Sequence, residues 1–361
     1  MAELPALTAA LAARPYALPQ ADRDALLGEG LRVLTAHHHA HCPAYRRIID
    51  GAWAGRTAFA RVEDAPYLPV ALFKSQTLRS VPEADVRVVL TSSGTTGQAV
   101  SRVFLDTQTS VAQQRALANS LMHVLGPKRL PMLVIDTDAV FKDPRLMSAR
   151  GAGVLGIMRY GRGHVFALGP DLAPRLDAVR RFLDDLAGRP FFIFGFTFMV
   201  WASFHEAFRE AGLDLSNGIL LHSGGWKKLA DRAVDNDTFR ASLRQAFGLT
   251  RIHNFYGMVE QIGTILLEGP RNLLYPPNFC DVIVRDPVDW TPAAPGRPGV
   301  IQVVSLLPHS YPGHSVLTED LGVVDAVDTG EDGWFGKGIR ILGRVPRAEL
   351  RGCSDVLGEA A

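Results

Sequence analysis

The sequence predicts an α/β fold of layered sheets and helices, with a β-rich portion beginning near residue 276. Three observations point there. Segments 131–135, 191–194 and 218–221 are unbroken apolar runs, as strands buried on both faces require. Stretches with helical spacing of apolar residues separate them. Beyond residue 276 short β-type runs alternate with Pro and Gly turns, the texture of an antiparallel region packed on an α/β layer.

The elements follow in order. Residues 22–39 are expected to be a helix, with Leu26, Leu27, Leu31, Val33 and Leu34 on its apolar face. Residues 86–90 and 101–105 read as strands flanking a glycine- and hydroxyl-rich loop at 91–98. A helix is expected over 107–125, strands at 131–135 and 191–194, and helices at 172–187 and 197–211. The strand at 218–221 runs into His222-Ser223-Gly224-Gly225. Asp237 is expected to cap a helix ending at Phe247, and a strand at 251–255 leads to Tyr256-Gly257. Short strands at 282–284, 300–305 and 323–325 form the β-rich portion. The domain is drawn as 1–342, and 343–361 as a polar tail.

Bulk properties exclude several classes. The formal net charge is +1 and Lys and Arg are scattered, so no global field favours nucleic acid or an anionic membrane. The longest apolar stretch is too short and mixed for a bilayer span, and the N-terminus lacks a signal-peptide pattern. Cys42, Cys280 and Cys353 are too few and dispersed for a disulfide framework or a zinc site, which fits a cytoplasmic location. His37, His38, His39 and His41 lack completing partners for a metal and are expected as partly exposed helix residues.

The strongest local signal is Thr91-Ser92-Ser93-Gly94-Thr95-Thr96-Gly97-Gln98. Glycines let the backbone approach an anion, and N–H groups and hydroxyls then donate to phosphate oxygens. No Gly-Lys-Ser/Thr follows, so it is not a Walker A loop. The loop resembles the phosphate-binding signature of the adenylate-forming enzymes, the superfamily of acyl-CoA synthetases, luciferases and peptide-synthetase adenylation domains. The resemblance continues in order through Ser223-Gly224-Gly225, Tyr256-Gly257-Met258-Val259-Glu260, Leu317-Thr318-Glu319-Asp320-Leu321 and Gly343-Arg344. Phe73-Lys74, His222-Ser223-Gly224-Gly225-Trp226-Lys227-Lys228 and Arg351-Gly352-Cys353-Ser354 are similar to one branch, the acyl-protein synthetases of LuxE type, which serve the fatty-acid reductase complex of bacterial bioluminescence. The likeness spans residues 37–354.

The resemblance implies the N-terminal-domain fold of adenylate-forming enzymes and ATP with Mg²⁺ as cofactors. Ser93, Gly94, Thr95, Thr96 and Gly97 would cradle phosphates. Gly224 and Gly225 would let a purine lie on the backbone, with the Tyr256 ring stacked on it at the Tyr256-Gly257 step. Asp320 would accept from ribose hydroxyls, and Glu260 would hold Mg²⁺ through hard oxygens. The chain departs from the pattern at Val100, where a Lys is usual. It also stops about where the superfamily's mobile C-terminal domain, with its catalytic lysine, begins. Lys227, Lys228 and Arg344 are candidates for the cation that replaces that lysine. Cys353 near the C-terminus would take the acyl group, as a thiolate attacks a mixed anhydride readily.

The resemblance thus implies activation of a carboxylic acid, a long-chain fatty acid first among candidates, then acyl transfer to Cys353 and on to a partner thioester reductase that makes the aldehyde. An acid–CoA ligase or carrier-protein loader, and a nucleotide-binding scaffold without catalysis, stand as alternatives. Phe194, Phe196, Phe198, Met199 and Trp201 suit an apolar acyl tunnel or a packed core equally.

Overall fold

The computed structural model describes residues 4–92, 100–141, 149–226 and 233–346. Its strands are β1 (Leu68–Pro69), β2 (Val88–Thr91), β3 (Arg102–Leu105), β4 (Leu130–Ile135), β5 (Gly161–Phe166), β6 (Phe191–Phe196), β7 (Gly218–Ser223), β8 (Arg251–Gly257), β9 (Ile265–Glu268), β10 (Leu274–Tyr275), β11 (Cys280–Arg285), β12 (Gly299–Ser305), β13 (Ser315–Val327) and β14 (Lys337–Arg344). Its helices are α1 (Pro5–Ala12), α2 (Gln20–His41), α3 (Pro43–Ala52), α4 (Leu72–Ser75), α5 (Thr107–Leu125), α6 (Ala149–Met158), α7 (Leu176–Leu186), α8 (Thr197–Met199), α9 (Glu206–Phe208) and α10 (Asn236–Phe247). They form two compact units. The described residues of the first are 4–92, 100–120 and 257–346; those of the second are 121–141, 149–226 and 233–256.

In the first unit the strands order as β11-β12-β13-β14-β10-β9, all pairs antiparallel among those in register, and β1 joins β13 in parallel. β2 and β3 form a separate antiparallel pair. Residues of β11 and β12 are buried throughout, so both sheet faces are covered there. One cover is α2, whose Leu27, Leu31 and Leu34 are buried; a Cβ at Gly30 would lie 2.6 Å from Leu306, so the helix seats closely. A second core gathers Tyr45, Ile49, Leu68, Phe73, Leu105, Tyr311 and Val316. Truncating one of these aromatics to Ala should cost about 3–5 kcal/mol.

In the second unit the order is β8-β7-β6-β4-β5, all parallel. Every residue of β6 is buried, and β7 is buried up to Ser223. The chain passes from β4 to the edge at β5 and returns on the other side of β4 to β6. In such sheets ligands bind at the carboxyl ends of the strands.

Several local expectations change. The N-cap of α10 is Asp235, whose carboxylate accepts from Thr238 N at 2.7 Å, and Asp237 sits in the first turn. The helix expected over 197–211 contains a π-helical turn at Val200–His205 between α8 and α9. His38 is fully buried rather than partly exposed: it pairs with Ser80 Oγ at 2.7 Å and the carbonyl of Pro308 at 3.1 Å, and its ring stacks on His314. The antiparallel portion begins at β9, before residue 276. Gly343 and Arg344 are the last residues of β14.

Candidate active site

Parallel pairing decides where the second unit's candidates stand. Ser223 of β7 is in register with Phe255 of β8, and its hydroxyl donates to the Phe255 carbonyl at 2.9 Å. The next residues, Gly224 and Tyr256, therefore emerge side by side at the carboxyl ends of adjacent strands. Gly224 and Gly225 are exposed and Tyr256 is half-buried. Gly224 has φ +88°, which L side chains rarely adopt, and a Cβ there would lie 3.5 Å from the Phe196 ring. Among the described residues, a Cβ at Gly225 meets nothing within 4 Å.

One residue before this pair, His222 is buried with Nδ1 3.0 Å from Thr197 Oγ1. Burial, then the nearby Arg240 and His253, push its imidazole down to about 3, so it is neutral at physiological pH. Trp201, on the π-helical turn, stacks on His205 with centroids 4.5 Å apart and meets Trp226 edge-on at 6.0 Å. Phe194, Phe196, Phe198 and Met199 are buried in the core of this unit, whereas Trp201 is half-buried.

The first unit brings together a second set. Asp320 and Arg344 are register partners across β13 and β14, with Arg344 Nε 3.5 Å from Asp320 Oδ1. The Thr318 hydroxyl donates to the Ile301 carbonyl at 2.8 Å and accepts from Asp320 N at 3.1 Å, which fixes the turn of backbone that presents Asp320. Glu260, in the 3₁₀ turn Val259–Gln261, is only 6% exposed. Burial raises its carboxyl; the Ser101 hydroxyl and Arg344 oppose this, and the Glu319 carboxylate reinforces it. Gly257, the end of β8, is exposed. Ser101 and Glu319 were not singled out from sequence as neighbours of Glu260. Glu319 occupies the middle of the Thr318–Asp320 triplet, and its carboxylate there is the signal that could have found it.

Two carboxylates and a hydroxyl are hard oxygen donors, a set that suits Mg²⁺ shared with phosphates. Among the described residues no group of three or more His, Cys, Asp or Glu side chains is arranged to hold a metal by itself. A cation here would thus depend on substrate oxygens, as is usual for Mg²⁺. Ser93, Gly94, Thr95, Thr96 and Gly97, together with Lys227, Lys228 and Cys353, lie outside the described residues. No described helix is long and apolar enough to cross a membrane.

Comparison with known proteins gives a consistent result. The chain is 22% identical over 338 residues to the long-chain-fatty-acid–luciferin-component ligase of Vibrio harveyi, which covers 90% of this chain and 85% of the relative. It shares its fold with 2-hydroxyisobutyryl-CoA ligase in an open conformation in complex with 2-HIB-AMP and CoA, at a TM-score of 0.66 and 18% identity over 91% of this chain and 76% of that one. The same ligase in its thioesterification state gives 0.64 and 19% identity, over 91% and 70%. The fold is that of adenylate-forming enzymes. The model of the family described as acyl-protein synthetase, LuxE, matches residues 4–361, and the chain belongs to that family.

Proposed function

We propose that the chain activates a long-chain fatty acid with ATP, takes the acyl group onto Cys353 and delivers it to a partner acyl reductase. The observation that carries the reading is family membership across the whole chain together with Gly224 and Tyr256 standing side by side at the strand ends. Backbone at Gly224 and Gly225 and the ring of Tyr256 would take the two faces of the purine, and 91–98 the phosphates. Asp320 would accept from the ribose hydroxyls, held by Arg344. Glu260 would hold Mg²⁺, which when bound neutralises the phosphate oxygens and polarises the α-phosphorus.

A carboxylate oxygen of the acid attacks the α-phosphorus, the bond to the β-phosphate oxygen breaks, and pyrophosphate leaves. Lys227, Lys228 and Arg344 are the candidates for the cation that would steady the acid carboxylate. The Cys353 thiolate then attacks the acyl carbon; the bond to the AMP oxygen breaks, a thioester forms and AMP leaves. The thioester sulfur is in turn displaced by the partner's nucleophile. The setting is the cytoplasm.

Incubation with ATP and labelled fatty acid should give a hydroxylamine-sensitive label on the protein. Cys353→Ser should abolish that label while acid-dependent pyrophosphate exchange continues. Full labelling of Cys353→Ser would remove the transfer step. Release of AMP only on addition of CoA, with no self-labelling, would favour an acid–CoA ligase.

A further inference from the structure

We infer that Gln261 is a positioning residue for Glu260, an inference that rests on the adenylation reading above. Gln261 is 1% exposed and follows Glu260 in the same 3₁₀ turn. Its Nε2 donates to two backbone carbonyls, Val303 on β12 at 2.9 Å and Gly313 at 2.8 Å. Both amide hydrogens are thereby used, each on a different stretch of chain. Glu at this position would set oxygens against oxygens, and Met would remove both donors.

The Gly313 contact reaches Glu260 directly. A Cβ at Gly313 would fall 2.6 Å from the Glu260 carbonyl oxygen and 2.3 Å from the Tyr311 ring. The segment holding Gly313 therefore lies flat against the backbone of Glu260, and the Gln261 bond fastens it there. That fixes residue 260 and hence where its carboxylate sits relative to Ser101, Glu319 and Arg344. Further along the loop, the Thr264 hydroxyl pairs with Ser305 Oγ at 2.8 Å, a single buried hydrogen bond that does not touch residue 260. Gln261 acts through Glu260 and has no role of its own in the chemistry. Partners bonded directly to a metal ligand are commonly worth about 10–100-fold in metal affinity, and Gln261, which acts on the backbone of the ligand, is expected at the low end of that range.

The test uses the full chain saturated with ATP and titrated with Mn²⁺, with water-proton relaxation enhancement reporting the protein-bound complex. Gln261→Met should raise half-saturating Mn²⁺ about tenfold while ATP affinity in EDTA is unchanged. Thr264→Val should lower the unfolding temperature and leave the Mn²⁺ constant where it is. Should Gln261→Met fail to fold, Gln261→Asn keeps the amide on a shorter arm and should give a smaller shift in the same direction. An unshifted constant in the Gln261 variants, or an equal shift in Thr264→Val, would overturn the positioning role and leave adenylation standing. A wild-type protein with neither an ATP-dependent Mn²⁺ site nor acid-dependent pyrophosphate exchange would sink both.

Discussion

Arg344 faces Asp320 across β13 and β14, its Nε 3.5 Å from the carboxylate, with side chains 31% and 19% exposed. Such a pair is partly screened by solvent and contributes less than about 1 kcal/mol to folding. If its purpose is to hold Asp320 for a ribose, removing the guanidinium should be felt in binding more than in stability. We expect Arg344→Met to keep its unfolding midpoint nearly unchanged and to weaken ATP binding by about tenfold or more, measured by calorimetry.

Gly224 and Gly225 should respond differently to the same methyl group. At Gly224 the positive φ makes Ala strained, at about 1 kcal/mol of stability. At Gly225 the added Cβ meets nothing among the described residues, so Gly225→Ala should fold as the parent does. Any fall in ATP affinity of Gly225→Ala then reports purine packing alone, and thermal unfolding alongside ATP titration separates the two effects.

Much of the fold was legible because composition alone signals strands buried on both faces, as in β6 and β7. The helix α5 runs over the residues expected of it. By contrast β5, with the sequence Gly161-Arg162-Gly163-His164-Val165-Phe166, is a polar, glycine-containing edge strand with no apolar run to betray it. The helix α6 carries Gly153 and Gly156 and was equally hidden. The π-helical turn was not legible, since Val200 and Phe204 are apolar on a segment that is apolar nearly throughout. Asp235 and Asp237 are both good caps two residues apart, and only geometry selects between them. At the site, motif order named the side chains, but burial of Glu260 and the bonds of Gln261 depend on carbonyls more than 40 residues away in sequence.

Tyr256 is proposed to use only the face of its ring. Tyr256→Phe should therefore retain ATP affinity, whereas Tyr256→Leu should lose about 1–3 kcal/mol of binding, read as a rise of about 5–150-fold in the dissociation constant. Equal losses in both variants would mean that the hydroxyl, not the ring, makes the contact.

Acid should destabilise the protein early. Burial holds His222 and His314 at about 3, far below the ordinary imidazole value of 6.5. Both are neutral in either state above pH 6.5. As pH falls below that value the unfolded chain takes up the protons and the folded chain refuses them, so stability declines down to about pH 3. Between pH 6.5 and 5 each group removes about 2 kcal/mol. The raised carboxyl of Glu260 works in the opposite direction, since the folded state binds that proton more readily; it is one group against two or more. Urea midpoints at pH 7 and pH 5 should differ accordingly, and His314→Gln should flatten the dependence.

Acid-dependent exchange of labelled pyrophosphate into ATP is the most direct measurement of adenylation by this chain. With a long-chain fatty acid and Mg²⁺, exchange should occur without CoA or any partner protein, and should fall by at least about a hundredfold in Glu260→Gln. ATP binding without exchange, across fatty acids of several chain lengths, would contradict it.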